Sequence, residues 1–168
     1  MTSLGRLEKQ LDALERIELR ECVSEGISSI QSVAKYNVAV GDGELRESIF
    51  TRVEAKSDVI IGTCYTNKEY APYVEFGAGP KGQADHEGIS PEVNPVYTQE
   101  PWWIHESQID VATAKRYNFF YIDTPQGRFY RSEGQAAQPF MYPALADNTD
   151  EVTRIIAKTT KKQIRSIL

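Results

Sequence analysis

Two different apolar patterns follow each other in residues 49–65, which read IFTRVEAKSDVIIGTCY. From Ile49 to Lys56, apolar and polar side chains alternate, which is typical of a strand with one buried face. After a turn at Ser57 and Asp58, the run from Val59 to Tyr65 is apolar almost throughout, and this favours a strand covered on both faces. Together the two runs predict an antiparallel hairpin.

A long helix is predicted on each side of this hairpin. Residues 1–35 contain no proline, and leucines recur every three or four positions at Leu4, Leu7, Leu11 and Leu14. Residues 143–167 carry a second apolar stripe, with acidic residues early and basic residues late, as the helix dipole favours. Either Pro143 or the cluster 147–149 can start this last helix.

A second hairpin is predicted late in the chain, with a strand at 117–123 and a turn at 124–127. The predicted fold class is therefore α+β: a small antiparallel sheet of two hairpins packed against long N- and C-terminal helices. Residues 36–168 form the predicted α+β core. Within it, eight of the 25 residues at 77–101 are Gly or Pro, which predicts a long loop.

The apolar stripe of the first helix changes direction along its length. At about 100° per residue, the four leucines cluster on one side, whereas Val23, Ile27, Ile30 and Ala34 lie about 150° away. Two explanations remain open. The helix bends over a curved core, or its first half is an assembly arm whose leucines pack on another subunit.

Composition excludes several classes of protein. The 168 residues carry a net charge of −5, which argues against a general nucleic-acid binder. No apolar run is long enough for a membrane span, so no membrane partner is expected. Two cysteines do not make a disulfide framework, and reduced thiols in an intracellular product are expected.

A catalytic apparatus is not evident in the sequence. His86 and His105 are each followed by a carboxylate, a pairing that could supply ligands for a metal-dependent hydrolase or nuclease. No H-E-x-x-H, G-x-S-x-G, C-x-x-C or phosphate-binding loop occurs. Both histidines are therefore predicted to be solvated loop residues. The sequence predicts no catalytic residue, no cofactor and no metal site.

Two further patterns each allow two interpretations. The last helix carries Arg154, Lys158, Lys161, Lys162 and Arg165 against Glu151, which is typical of a solvated face and is also compatible with DNA contact. Trp102 and Trp103 are adjacent, so on a strand they point to opposite faces. Tryptophan is common at subunit interfaces, so both residues are candidate interface residues, with a place in the domain's own core as the alternative.

Five blocks of the sequence carry a family resemblance. They are VGDGELRESI at 40–49, VIIGT at 59–63, YAPYVEFGAGP at 70–80, PWWI at 101–104 and GQAAQPFMYPAL at 134–145. In this order the chain resembles the head–tail joining, or neck, proteins of long-tailed bacteriophages and prophages, which are often labelled minor structural or tail-component proteins. The resemblance covers residues 38–160.

The resemblance implies a structural virion protein and no enzyme. Such proteins form rings at the head–tail junction, and a hexamer is expected because it matches the six-fold tail. They contact a head-closure or connector protein on one side of the ring. On the other side they contact a tail-completion or tail-tube protein. The implied location is the virion neck, with the host cytoplasm during assembly; DNA passes through the ring without sequence-specific binding, which an acidic chain suits.

The matching blocks imply scaffold rather than ligand-binding residues. Pro72 and Gly77 bound a short helix, and the other structural positions are Tyr70, Glu75, Phe76, Pro139, Phe140 and Pro143. Glu75 is charged inside an apolar block. It is expected to pair with a buried arginine such as Arg46, or to cross a subunit boundary.

Overall fold

The computed structural model describes residues 18–39 and 43–167, except for the side chain of Ile167. The chain divides into two compact units. Unit 1 comprises residues 1–68 and 140–168, and unit 2 comprises residues 69–139. The residues predicted as an assembly arm, Leu4, Leu7, Leu11 and Leu14, lie outside the described ranges.

Unit 1 combines one hairpin with helices from both ends of the chain. Its elements are α1 (Leu19–Asn37), α2 (Gly43–Glu47), β1 (Ile49–Lys56), β2 (Val59–Thr66), α6 (Tyr142–Ala146) and α7 (Thr149–Ile167). Glu18 precedes α1 with non-helical backbone angles. No described helix is long and apolar enough to cross a bilayer.

Helix α1 is the centre of unit 1, because α7 and the hairpin both pack against it. A Cβ added at Gly26 would lie 3.1 Å from Cγ1 of Ile156, so the glycine lets α7 approach closely. A Cβ at Gly62 of β2 would lie 2.9 Å from Cγ1 of Val23. The side chain of Cys22 on α1 is fully buried in this core.

The predicted hairpin is confirmed, with Lys56 opposite Val59 across the turn. The prediction that its second strand is covered on both faces is wrong. Val59, Ile61 and Tyr65 are exposed, as is Phe50 of β1. Within unit 1, helix α1 covers the face that carries Gly62, whereas the opposite face has no such cover in the described part of the unit.

The final helix is interrupted. The sequence offered two start signals and the chain uses both, because α6 has Pro143 in its first turn and α7 begins at Thr149. Asn148 donates from Nδ2 to the carbonyl of Ala144 at 3.1 Å, which satisfies a backbone acceptor at the break. Phe140, just before α6, is only 1% exposed and anchors this end of unit 1.

Unit 2 contains short helices and a three-stranded antiparallel sheet in the order β3-β5-β4. Its elements are α3 (Ala71–Phe76), α4 (Gly79–Ala84), β3 (Trp102–His105), a 3-10 turn (Glu106–Gln108), α5 (Val111–Arg116), β4 (Tyr121–Thr124) and β5 (Gly127–Ser132). The α+β fold class is confirmed. The two hairpins nevertheless belong to two separate sheets, one in each unit, instead of a single sheet.

Two predicted segments of unit 2 have a different structure. The loop predicted at 77–101 begins with α4, and the strand predicted from Tyr117 starts only at Tyr121. Helix α5 ends at Arg116, directly before the predicted start of the strand. Asn118 then turns the chain with φ of +50°. Its cap is the carboxylate of Asp110, whose Oδ1 accepts a hydrogen bond from the Thr113 amide at 2.8 Å.

Candidate functional site

An apolar groove of about 770 Å³ lies within unit 2. It is built from the YAPYVEFGAG block, the segment before β3, β3 itself and the residues that follow β5. Its lining residues are Tyr70, Pro72, Tyr73, Val74, Phe76, Gly77, Ala78, Gly79, Pro95, Val96, Tyr97, Thr98, Trp102, Phe119, Ser132, Gly134 and Gln135.

The floor of the groove depends on a backbone that only glycine permits. The short helix α3 has Pro72 in its first turn and ends at Gly77, whose φ is +78°. The predicted short helix bounded by Pro72 and Gly77 is therefore confirmed. A Cβ at Gly77 would lie 2.8 Å from Cα of Gly82 and 2.9 Å from the amide nitrogen of Ala137, too close for any other residue.

The segment after β5 is joined to this floor by backbone hydrogen bonds. Ala78 and Gln135 exchange two of them, at 2.9 and 3.0 Å, and the amide of Lys81 donates to the carbonyl of Glu133 at 3.1 Å. Gly134 has φ of +81°, and a Cβ there would lie 1.8 Å from the carbonyl oxygen of Ala78. The two segments can meet this closely only because Gly134 has no side chain.

Aromatic side chains form the wall of the groove. Trp102 packs over Gly79, where an added Cβ would lie 2.7 Å from Cζ3 of the indole. The hydroxyl of Tyr97 donates to the carbonyl of Phe76 at 2.7 Å. Burial raises the pKa of this hydroxyl. The wall is thus held by packing and by a hydrogen bond to the helix end.

The predicted opposite orientation of the two tryptophans is confirmed. Trp102 lines the groove, whereas Trp103 is 44% exposed and its ring lies 6.2 Å from that of Phe120. Their assignment as interface residues stays a prediction. Two other groove residues are more exposed still: Tyr73 is 60% exposed and Val96 is 98% exposed. Exposed apolar residues in a concave site are typical of a protein-binding surface.

The remaining motif residues lie on either side of the groove floor. Tyr70 precedes α3, and Phe76 ends it. Glu75, on the same helix, is only 6% exposed. Arg46 is exposed and donates to the carbonyl of Val38 at 3.4 Å, so it is not the buried arginine that the sequence suggested. The partner of Glu75 and its proposed role stay predictions.

The two histidines are engaged in local hydrogen bonds. Nδ1 of His86 contacts the carbonyl of Gln83 at 2.8 Å, and Nε2 of His105 contacts the carbonyl of Gln126 at 3.0 Å. Within residues 18–39 and 43–167, no group of three or more His, Cys, Asp or Glu side chains could hold a metal ion. Nothing in the described geometry favours the hydrolase alternative.

Both cysteines are free thiols in unit 1. Cys64 on β2 is partly buried, and this burial raises the pKa of its thiol, although nearby Lys35 acts in the opposite direction. A raised pKa reduces the thiolate population, which is the reactive form. The thiol of Cys64 is therefore less reactive at neutral pH than that of a fully solvated cysteine.

Comparison with known proteins shows that the first part of this chain is similar to a family of bacteriophage tail components. Residues 1–77 match the model of the HK97-gp10-like family, whose description reads "Bacteriophage HK97-gp10, putative tail-component". This match confirms the resemblance over the helix–hairpin part of unit 1 and as far as Gly77. Neither the curated proteins nor the solved structures contain a significant match. A phage tail-component family implies a location in the virion.

Proposed function

We propose that this protein is a non-enzymatic structural subunit of the phage neck, where it forms a ring that joins the capsid connector to the tail. The match of residues 1–77 to a tail-component family carries this proposal. The exposed apolar groove of unit 2 supports it, because a ring subunit needs unlike surfaces that bind each other and neighbouring proteins.

The groove receives the leucine stripe of a neighbouring copy in this proposal. Leu4, Leu7, Leu11 and Leu14 have the three- and four-residue spacing with which an amphipathic helix fills an apolar groove. The groove supplies the complementary concave surface, with Tyr73 and Val96 exposed at it. Such a contact joins unlike patches, and a heterologous contact of this kind closes into a ring when the rotation between copies allows it.

Each face of the ring then contacts a different virion protein. A head-closure or connector protein lies on one side and a tail-completion or tail-tube protein on the other. Six copies would match a six-fold tail. Assembly takes place in the host cytoplasm, and the finished ring resides in the neck of the virion.

Light scattering on the full chain, over a range of concentrations, tests self-assembly. We expect the mass to rise towards that of a closed ring, and addition of the purified connector and tail-tube proteins of the same phage to capture the ring. A chain that stays monomeric at every concentration and ignores both virion proteins would refute the proposal.

The groove contact has its own test. Replacing Leu7 and Leu11 with aspartate should abolish assembly, because it places charge against an apolar surface. Thr2→Asp with Ala13→Asp adds the same charge on the opposite side of the predicted helix and serves as the control. Both double variants should melt like the wild type. A loss of monomer stability in the leucine variant would show that these residues belong to the core.

Introducing opposite charges at Leu11 and Val96 gives the sharpest test of whether these two residues meet between neighbouring copies. Val96→Asp should weaken assembly without unfolding the chain, since this side chain is almost fully exposed. Combining Leu11→Asp with Val96→Lys should restore part of the assembly that Leu11→Asp removes. If the Leu11→Asp, Val96→Lys variant assembles no better than Leu11→Asp alone, Leu11 does not lie against Val96 of a neighbouring copy.

A further inference from the structure

One end of this acidic chain carries a concentrated positive charge. Residues 152–168 contain five basic and no acidic residues, although the whole chain has a net charge of −5. All five side chains, Arg154, Lys158, Lys161, Lys162 and Arg165, are exposed on α7. Five of the 19 basic residues of the chain therefore lie close together on one helix, with no acidic residue among them after Glu151.

The five cations share one face of α7. At about 100° per residue they fall within an arc of about 100°. Val152, Ile156 and Thr159 lie on the opposite side, and this is the side on which α7 packs against α1. The basic face is thus directed away from the core of unit 1.

These cations are largely unneutralised by the rest of the described chain. Arg154 pairs with Glu151 at 2.7 Å. Among residues 18–39 and 43–167, no carboxylate lies within 4.0 Å of the other four. Two acidic side chains of α1 contact neutral groups of α7 instead: Glu21 accepts from Gln163 at 2.7 Å, and Glu25 accepts from Thr159.

The face lacks the features of a protein interface. No large hydrophobic side chain between Thr149 and Ser166 is exposed. Lysine, which supplies three of the five cations, is depleted in protein interfaces, whose centres are apolar. A row of lysines without apolar residues is instead suited to phosphate groups, which it contacts as separate point charges.

We infer that the basic face of α7 is a non-sequence-specific binding site for the phosphate backbone of duplex DNA. From Arg154 to Arg165 the helix rises about 16 Å, and this length of duplex presents about five phosphates on each strand. The side chains reach only the backbone in this arrangement, so the site does not read base sequence. The inference rests on the charge pattern alone and holds whether or not the chain forms a ring.

Fluorescence anisotropy with a labelled 20-base-pair duplex and the full chain tests the site. We expect binding at low salt whose affinity falls by about 100-fold between 50 and 200 mM salt, as four phosphate contacts predict. Two duplexes of unrelated sequence should bind equally. No binding at 20 mM salt, or binding without salt dependence, would overturn the inference.

A triple variant locates the site. Lys158→Gln, Lys161→Gln and Lys162→Gln together should reduce the slope of log affinity against log salt by about three. The control, Lys56→Gln with Lys115→Gln and Arg116→Gln, removes the same charge from exposed positions elsewhere and should keep most of the slope. Equal losses in both variants would show a general charge effect and refute the site.

An acidic protein surface is the other polyanion that this face could meet. Poly-glutamate of the same charge as the duplex serves as the probe for it. We expect weaker binding of poly-glutamate than of DNA at equal salt. Equal or tighter binding would assign the face to an acidic protein and remove DNA as its ligand. Light scattering on the same samples reports assembly separately, so failure of this site and failure of the neck role are distinguishable.

Discussion

The two units of this protein are held together in different ways. In unit 1, a long helix covers one face of a hairpin and a second helix packs on the first, so the stability comes from regularly spaced apolar side chains. Unit 2 has short elements, and its segments meet through backbone hydrogen bonds at glycines. Removing apolar volume should therefore damage unit 1 most, and adding volume should damage unit 2 most.

The largest effect is expected from truncating Phe140, the largest fully buried side chain among the described residues. Phe140→Ala should lower the free energy of unfolding by about 3–5 kcal/mol, because the change leaves a cavity in a closed site. Urea unfolding followed by circular dichroism measures it. Phe120→Ala is the control in unit 2, where the ring is 63% exposed, and should cost less than about 1 kcal/mol. Equal losses would contradict the contrast.

An added side chain should damage unit 2 almost as much. Gly77→Val combines a strained positive φ with a clash against backbone, which together predict a loss of about 2–4 kcal/mol. Both tryptophans of the chain lie in unit 2, so their fluorescence reports its unfolding. Gly43→Ala in unit 1, where a new Cβ meets nothing within 4 Å, is the matched control. If Gly77→Val leaves the fluorescence transition unchanged, the claim that the backbone around Gly77 leaves no room for a side chain is wrong.

A smaller effect should follow from removing one hydrogen bond of the groove wall. Tyr97→Phe deletes the bond to the Phe76 carbonyl and should cost about 1 kcal/mol, the usual net worth of such a bond. Tyr117→Phe removes a hydroxyl from a side chain that is 67% exposed and should cost almost nothing. If the two variants melt alike, the wall does not depend on that bond.

The smallest effect concerns an exposed ion pair on the second hairpin. Arg128 donates to both carboxylate oxygens of Asp123, at 2.7 and 3.0 Å, and this lowers the pKa of Asp123. The stabilisation is present above the unfolded-state pKa and is lost as the pH falls through the lower folded-state value. The melting temperature of the wild type should therefore fall between pH 6 and pH 2 by more than that of Asp123→Asn, which lacks the titrating carboxylate. Asp58→Asn, in the turn of the first hairpin, is the control and should show the same fall as the wild type.

Unit 1 was the more predictable of the two because its signals are local. Alternation at Ile49–Lys56 specified the first strand, and periodic apolar residues specified both long helices. The almost continuous apolar run of β2 could not predict which of its two faces stays uncovered. Ile61 and Gly62 are both apolar in sequence, yet only Gly62 lies under α1.

The groove could not be predicted because its parts are far apart in the sequence. Helix α4 contains Gly79 and Pro80, which usually mark a loop, and its amide at Lys81 bonds to Glu133, more than fifty residues away. Helix α5, in contrast, was missed although a signal was present. Asp110 followed by Thr113 is the local pattern of a capped helix start.

The hairpin of unit 1 has a consequence for how separate copies of the chain behave in concentrated solution. As a two-stranded sheet, it leaves one edge of each strand without a strand neighbour in the described chain, beside exposed Phe50 and Tyr65. Such edges promote aggregation in concentrated protein, and charged side chains oppose it. Arg52, Glu54 and Lys56 alternate along β1 on the uncovered face. These charges oppose the pairing of this hairpin with strands of other copies of the chain.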